Sequence, residues 1–131
     1  MNLKLIAPCG MNCAICVAYL RDKNKCPGCR MLGQKKDIKS IYCKKCSIRD
    51  CLILKENKWK YCKKTCSKYV CQRLKNLDKR YRTRYGMSMI KNLEYINKKG
   101  IRAFIKNQKK KYIKDGKILC IHNKKYYNIK K

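Results

Sequence analysis

The stretch Cys9-Gly10-Met11-Asn12-Cys13-Ala14-Ile15-Cys16, followed by Cys26-Pro27-Gly28-Cys29, decides how the rest of the chain is read. Two of its pairs, Cys13/Cys16 and Cys26/Cys29, have the C-x2-C spacing of a metal knuckle. In such a turn backbone N–H groups can point at the thiolates while both sulfurs converge on one ion. Two pairs separated by nine residues offer the four soft ligands of a tetrahedral zinc site.

Further along come Cys43-Lys-Lys-Cys46-Ser-Ile-Arg-Asp-Cys51 and Cys62-Lys-Lys-Thr-Cys66-Ser-Lys-Tyr-Val-Cys71. A second site draws four ligands from Cys46, Cys51, Cys62, Cys66 and Cys71. Cys9 and Cys43 join either site, complete a third, or stand outside both. The expected cofactor is therefore Zn²⁺, two ions or three. Four thiolates leave no open coordination position, so the expected role is structural.

Composition makes such help necessary. Leu (10), Ile (14), Val (2) and Phe (1) amount to 27 of 131 residues, against a net charge of +30. That is close to the composition of chains that stay disordered. A structural zinc contributes on the order of 10–16 kcal/mol of apparent binding energy, coupled directly to folding. Twelve cysteines in a small protein also permit disulfides. The opening residues argue against export, because Pro8, Gly10 and Asn12 interrupt the apolar run of Leu3-Lys-Leu-Ile-Ala. No run approaches a membrane span. The expected compartment is the cytoplasm, where paired cysteines signify metal or redox chemistry.

From residue 68 the texture is helical. Val70, Leu74, Leu77, Tyr81 and Tyr85 form one stripe, with Gly86 just past its end. Ser88 caps a second helix bearing Met89, Leu93 and Ile96 and stopping at Gly100; Ile101, Phe104, Ile105 and Tyr112 mark a third. Shorter helices are expected over 14–22, capped by Asn12, and over 51–57, capped by Asp50. Asp115-Gly116 reads as a turn, Ile118–Ile121 as a short strand, and 123–131 as a mobile basic tail. The expected fold is mainly α, a zinc-knuckle N-terminal half with short helices packed on about three C-terminal α-helices. Its regions are 1–71 (Cys-rich, metal-binding), 72–116 (helical) and 117–131 (strand and tail), together one compact domain.

The ordered set Cys9-Gly-Met-Asn-Cys13-x-x-Cys16, Cys26-Pro-Gly-Cys29, Cys46-x-Ile-Arg-x-Cys51, Tyr61-Cys62 through Tyr69-Val-Cys71, Leu77-Asp78, Arg80-Tyr81-Arg82, Tyr85-Gly-Met-Ser88, Asn92-Leu93 and Gly100-Ile101 resembles a known family. It is the small Cys-rich prokaryotic family catalogued as domain of unknown function 3795, and the likeness spans roughly residues 9–105. The resemblance implies a metal-binding module and carries over no activity. Three departures stand out. Cys62 and Cys66 are three residues apart where C-x2-C is usual, and Val70 stands where a proline is common. Of the family's C-terminal cysteine ribbon only Cys120-x-His122 survives.

Other chemistries are weaker. Cys9-x3-Cys13-x2-Cys16 matches the spacing of a radical-SAM cluster, but that chemistry needs a large barrel. A small [4Fe–4S] electron-transfer protein is the main alternative, since such clusters also take four thiolates. An enzyme using one activated thiol (Cys9, Cys43 or Cys120) is the second. His122, the single histidine, could hold a metal with Cys120, but two ligands are not a site, and it reads as a surface or merely packed imidazole. No carboxylate pair is spaced for acid–base work.

Lys, Ile, Asn and Tyr are abundant together, as A/T-rich codons produce, yet Glu occurs only at 56 and 94. A field of this sign attracts polyanions whatever its origin, and RNA is the partner class charge favours. Arg80, Arg82 and Arg84 beside Tyr81 and Tyr85 combine phosphate contacts with stacking surfaces; Lys109-Lys-Lys-Tyr112 is a second basic run. The competing reading puts both tyrosines in the helix stripe and leaves the arginines solvated. The function expected from sequence is a zinc-binding module acting as a binding or adaptor protein.

Overall fold

The computed structural model describes residues 1–23, 25–28, 30, 48–49, 51–63 and 65–129. Among them are five α-helices: α1 (Val17–Leu20), α2 (Leu52–Asn57), α3 (Gln72–Tyr85), α4 (Met89–Lys99) and α5 (Ile101–Tyr112). Three short strands follow: β1 (Ile113–Lys114), β2 (Lys117–Leu119) and β3 (Tyr126–Asn128). The protein is mainly α. No helix among the described residues is long and apolar enough to cross a membrane.

The three C-terminal helices form where the apolar stripes require them. Gly86 ends α3 in the left-handed region at φ 71°, a conformation that costs a residue without Cβ nothing. The Ser88 hydroxyl accepts from the Lys91 N–H at 3.1 Å and caps α4, and Gly100 closes it. Met89, Leu93 and Ile96 are the buried face of α4, and Phe104 and Ile105 that of α5.

The strands form an antiparallel meander in the order β1-β2-β3. Asp115 and Gly116 both have positive φ (52° and 73°), as a two-residue hairpin turn between twisted strands demands. Within the expected mobile tail, Tyr126–Asn128 form β3, pairing Tyr126 with Leu119, Tyr127 with Ile118 and Asn128 with Lys117. Tyr127 packs on the core, and its hydroxyl accepts from Asn123 Nδ2 at 2.9 Å. These contacts supply the anchor that a basic segment lacks by itself.

The N-terminal helix is also shorter than expected. Asn12 caps a 3₁₀ turn over Cys13–Ile15, the chain is extended at Cys16, and α1 starts only at Val17. The C-terminal segment competes for the backbone groups a continuous helix would use. The Ile15 carbonyl accepts from the Ile121 N–H at 2.9 Å, and the Val17 N–H donates to His122 Nδ1 at 3.1 Å. Helix α2 is flanked by Cys51, and the expected cap Asp50 lies outside the described residues.

The main core takes residues from every region of the chain, among them Ala7, Ile15, Leu74, Leu93, Ile118 and Ile121. Ile6, Ile96, Phe104 and Ile105 form a second cluster. Gly10 is where the N-terminal loop meets α4. Its φ is +91°, an added Cβ would lie 2.9 Å from the Met89 carbonyl oxygen, and its own carbonyl accepts from Asn92 Nδ2 at 3.0 Å. Gly10→Ala therefore combines an unfavourable φ with a backbone clash. It should lower the stability measured by chemical denaturation by about 2–3 kcal/mol.

Candidate functional site

None of the nine described cysteines is in a disulfide. One group of them lies between residues 51 and 71. Cys51 flanks the start of α2, and Cys71 the start of α3. Between them the chain turns back on the N-terminal loop. The Cys62 N–H donates to the Pro8 carbonyl at 3.0 Å, and the Cys62 carbonyl accepts from Asn97 Nδ2 on α4 at 3.2 Å. Cys66 sits in a tight turn, its N–H bonded to the Lys63 carbonyl and its carbonyl to the Tyr69 N–H. As a result Cys51, Cys62, Cys66 and Cys71 line a single cavity of about 30 Å³, walled also by Trp59 and Arg73.

The electrostatics of this group are uneven. Burial alone would push the Cys51 thiol up. The N–H groups of Leu54 and Ile53 and the guanidinium of Arg73, which donates to Cys51 Sγ at 3.5 Å, outweigh it and hold that thiol below its ordinary value. The Cys62 thiol moves the other way. Burial first, then the facing sulfurs of Cys71, Cys51 and Cys66, push it up to about 11. Tyr69, also on the wall, buries a hydroxyl with no hydrogen-bond partner among the described residues.

Sulfur is the donor that zinc, copper(I) and iron–sulfur clusters select, so the chemistry of the donor set fits a soft metal. The gathering is loose: among the described residues no three His, Cys, Asp or Glu side chains already stand as a cage for a metal ion. The expected second site named Cys46, Cys51, Cys62, Cys66 and Cys71. The fold assembles four of these around one cavity, and Cys46 lies outside the described residues.

The expected knuckle of Cys13, Cys16, Cys26 and Cys29 is described only in part. Cys9 and Cys13 are buried among the apolar residues of the main core. Cys16 is half-buried, and burial first, with a smaller effect of the Cys26 and Cys120 sulfurs, pushes its thiol up. Cys29 and Cys43 lie outside the described residues. Of the candidate catalytic thiols, Cys9 and Cys120 are buried, which removes the solvent access a nucleophile needs.

His122 is engaged on both ring nitrogens. Nδ1 accepts from the Val17 N–H, so the neutral ring carries its proton on Nε2, which lies 3.1 Å from the Tyr81 hydroxyl. Its ring also meets Tyr85 edge-on at 4.7 Å between centroids. The packed reading of this histidine holds, and it has no nitrogen left for a metal.

The same contacts turn Tyr81 and Tyr85 inward, as the stripe reading expects, so neither offers an open stacking face. Arg82 is tied to Asp78, while Arg80 and Arg84 are exposed. Two groups had no signal in the sequence. Asp78 is buried and accepts from Arg82, Ser88 and the Ile90 N–H. Arg30 donates to the carbonyls of Ile6 and Lys60 and lies over the Tyr61 ring, tying three segments together. Only the one-turn offset of Asp78 from Arg82, and its place opposite the Ser88 cap, could have pointed to the former.

No family model matches the chain, and comparison with curated proteins and with solved structures finds no match. What the fold defines by itself is a mainly helical protein with a small antiparallel sheet and four cysteines around one cavity. The resemblance to the Cys-rich prokaryotic family rests on the ordered motif residues alone.

Proposed function

We propose that the cavity between residues 51 and 71 holds one soft metal ion, zinc in first place, through Cys51, Cys62, Cys66 and Cys71. On this reading the protein is a metal-stabilised binding module. The observation that supports it is that these four cysteines, from separate turns, line one cavity of about 30 Å³. The sulfurs of Cys71, Cys51 and Cys66 add to burial in opposing ionisation of Cys62, and a cation among them would reverse that opposition. The ion would supply structural cross-linking of α2, α3 and the intervening loop. A closed thiolate set leaves it no position for substrate.

The test is elemental analysis of reduced, untagged protein, repeated on Cys62→Ser and Cys66→Ser. Each substitution should remove one zinc equivalent. Metal content unchanged in both would overturn the proposal. Brown protein containing iron and acid-labile sulfide would favour the electron-transfer alternative on the same ligands.

A polyanion, RNA in first place, is the partner that the charge favours. The exposed cations Lys79, Arg80 and Arg84 on α3 support a phosphate-contacting face that does not use tyrosine stacking. Three contacts give a slope of log affinity against log salt of about −2 to −3. Arg80→Ala with Arg84→Ala should flatten that slope by about two contacts' worth. Equal slopes for variant and parent would remove this face from consideration.

A further inference from the structure

We infer that the outer face of the three-stranded sheet binds single-stranded nucleic acid, with Tyr126 as a platform for a base and Lys114 and Lys117 as phosphate contacts. This rests on the reading of RNA as the partner and adds to it a second face, away from the exposed cations of α3.

The register decides which side chains share the face. Successive residues of a strand point to opposite sides of the sheet, and residues directly opposite across an antiparallel pair point to the same side. Ile113, Ile118 and Tyr127 stand in one row across the three strands and pack on the main core. The neighbouring rows therefore turn outward. One is Lys114, Lys117 and Asn128, and the other is Leu119 and Tyr126. Burial agrees, since Lys114, Lys117, Tyr126 and Asn128 are all exposed while Ile118 is buried.

Two features distinguish this face from lysines that are merely solvated. Lys114 and Lys117 are directly opposed across the hairpin, an arrangement that costs stability between like charges. Neither ammonium has an ion-pair partner among the described residues. A phosphate laid between the two would offset that cost. Beside them the Tyr126 side chain is 52% exposed and stands outside both apolar clusters, whereas Tyr81, Tyr85 and Tyr127 pack against the main one.

Lys117 is the diagonal neighbour of Tyr126 across β2 and β3. Such neighbours are about 7–8 Å apart, a span that one nucleotide covers between base and phosphate. Every base has a π-face, so an aromatic platform beside cations accepts single strands with little regard to sequence. Duplex bases are already stacked and cannot use it. Lys124 is not counted in this surface, because its Nζ donates to the Tyr85 carbonyl at 3.1 Å.

The test is fluorescence anisotropy of the full chain with a short labelled oligouridylate, in parallel with labelled heparin, over a series of salt concentrations. Tyr126→Ala should weaken oligonucleotide binding about tenfold and leave heparin binding unchanged, and Tyr126→Phe should bind as the parent does. Lys114→Ala with Lys117→Ala should flatten the slope of log affinity against log salt by about 1.4, two contacts' worth for a single strand. These positions are exposed, so the substitutions leave the core untouched.

Equal oligonucleotide affinity in Tyr126→Ala and the parent would overturn the inference. So would an equal loss of heparin affinity in Tyr126→Ala, since heparin has no base to stack. Binding that weakens with Arg80→Ala and Arg84→Ala but not with the sheet variants would keep RNA as the partner and remove this face. No oligonucleotide binding by the parent would remove both.

Discussion

With the proposed ion in place, treating reduced protein with a chelator should lower the melting midpoint by about 15 °C or more and broaden the transition. The reasoning begins with what is buried. Apolar side chains are scarce, and the main core includes Cys9 and Cys13 alongside Ala, Ile, Leu and Met. Residues 51–71 contribute little to that core besides aromatic and thiol groups at its edge. Their helix is six residues long, far below the length at which a helix holds alone. An ion linking Cys51, Cys62, Cys66 and Cys71 would contribute on the order of 10 kcal/mol, comparable with the entire net stability of a typical domain. The loss should be local first. Exchange protection should vanish over 51–71 while α3, α4 and α5, which pack through Leu74, Leu93 and Phe104, keep theirs. A melting curve indifferent to chelator under reducing conditions would show that the cavity needs no ion.

Asp78→Ala should destabilise the protein by about 3–4 kcal/mol, the largest effect expected of a single substitution outside the cysteines. Asp78 is buried on α3 and accepts from three donors: Arg82 Nε at 2.6 Å, Ser88 Oγ at 2.6 Å and the Ile90 N–H at 3.0 Å. Ser88 is also the cap of α4, so one carboxylate fixes the angle between two helices. Its partners are unequal. The Arg82 side chain is 57% exposed, so Arg82→Ala should cost less than about 1 kcal/mol. Removing the carboxylate instead strands the Ser88 hydroxyl and the Ile90 N–H near the core, which carries most of the cost.

The same residue sets a pH dependence. Burial by itself would push the Asp78 carboxyl up, but the bonds from Ser88, the Ile90 N–H and Arg82 outweigh it and hold it below the usual range. A group whose folded value is depressed binds fewer protons than it does in the unfolded chain. Its contribution is complete above the unfolded carboxyl value of about 3.9 and drains away as pH falls through the lower folded value. Chemical denaturation of Asp78→Asn between pH 7 and pH 2 should therefore show a shallower acid loss than the parent. Parallel curves would remove Asp78 from that role.

Some of this was legible in the residues. Stripes at three- and four-residue steps, with Gly86, Ser88 and Gly100 as punctuation, give α3, α4 and α5 almost to the residue. Those signals are local, because a helix closes its own hydrogen bonds. The cysteine clusters were legible as clusters, and one of them lines a cavity in the fold. Cys51, Cys62, Cys66 and Cys71 fall together as their spacing suggests. At the N-terminus, Cys13 is buried in the main core and Cys16 packs against it half-buried.

The sequence by itself determined three helices, the hairpin turn at Asp115-Gly116 and a chain too poor in apolar residues to rely on them alone. Tertiary structure alone decided that Ile121 is bonded to Ile15, that both ring nitrogens of His122 are engaged, that Tyr126–Asn128 form a strand and that Asp78 joins two helices. Each of these depends on donors and acceptors separated by ten to more than a hundred residues. No local pattern encodes such pairs, because what selects them is the burial of groups that must find partners once water is excluded.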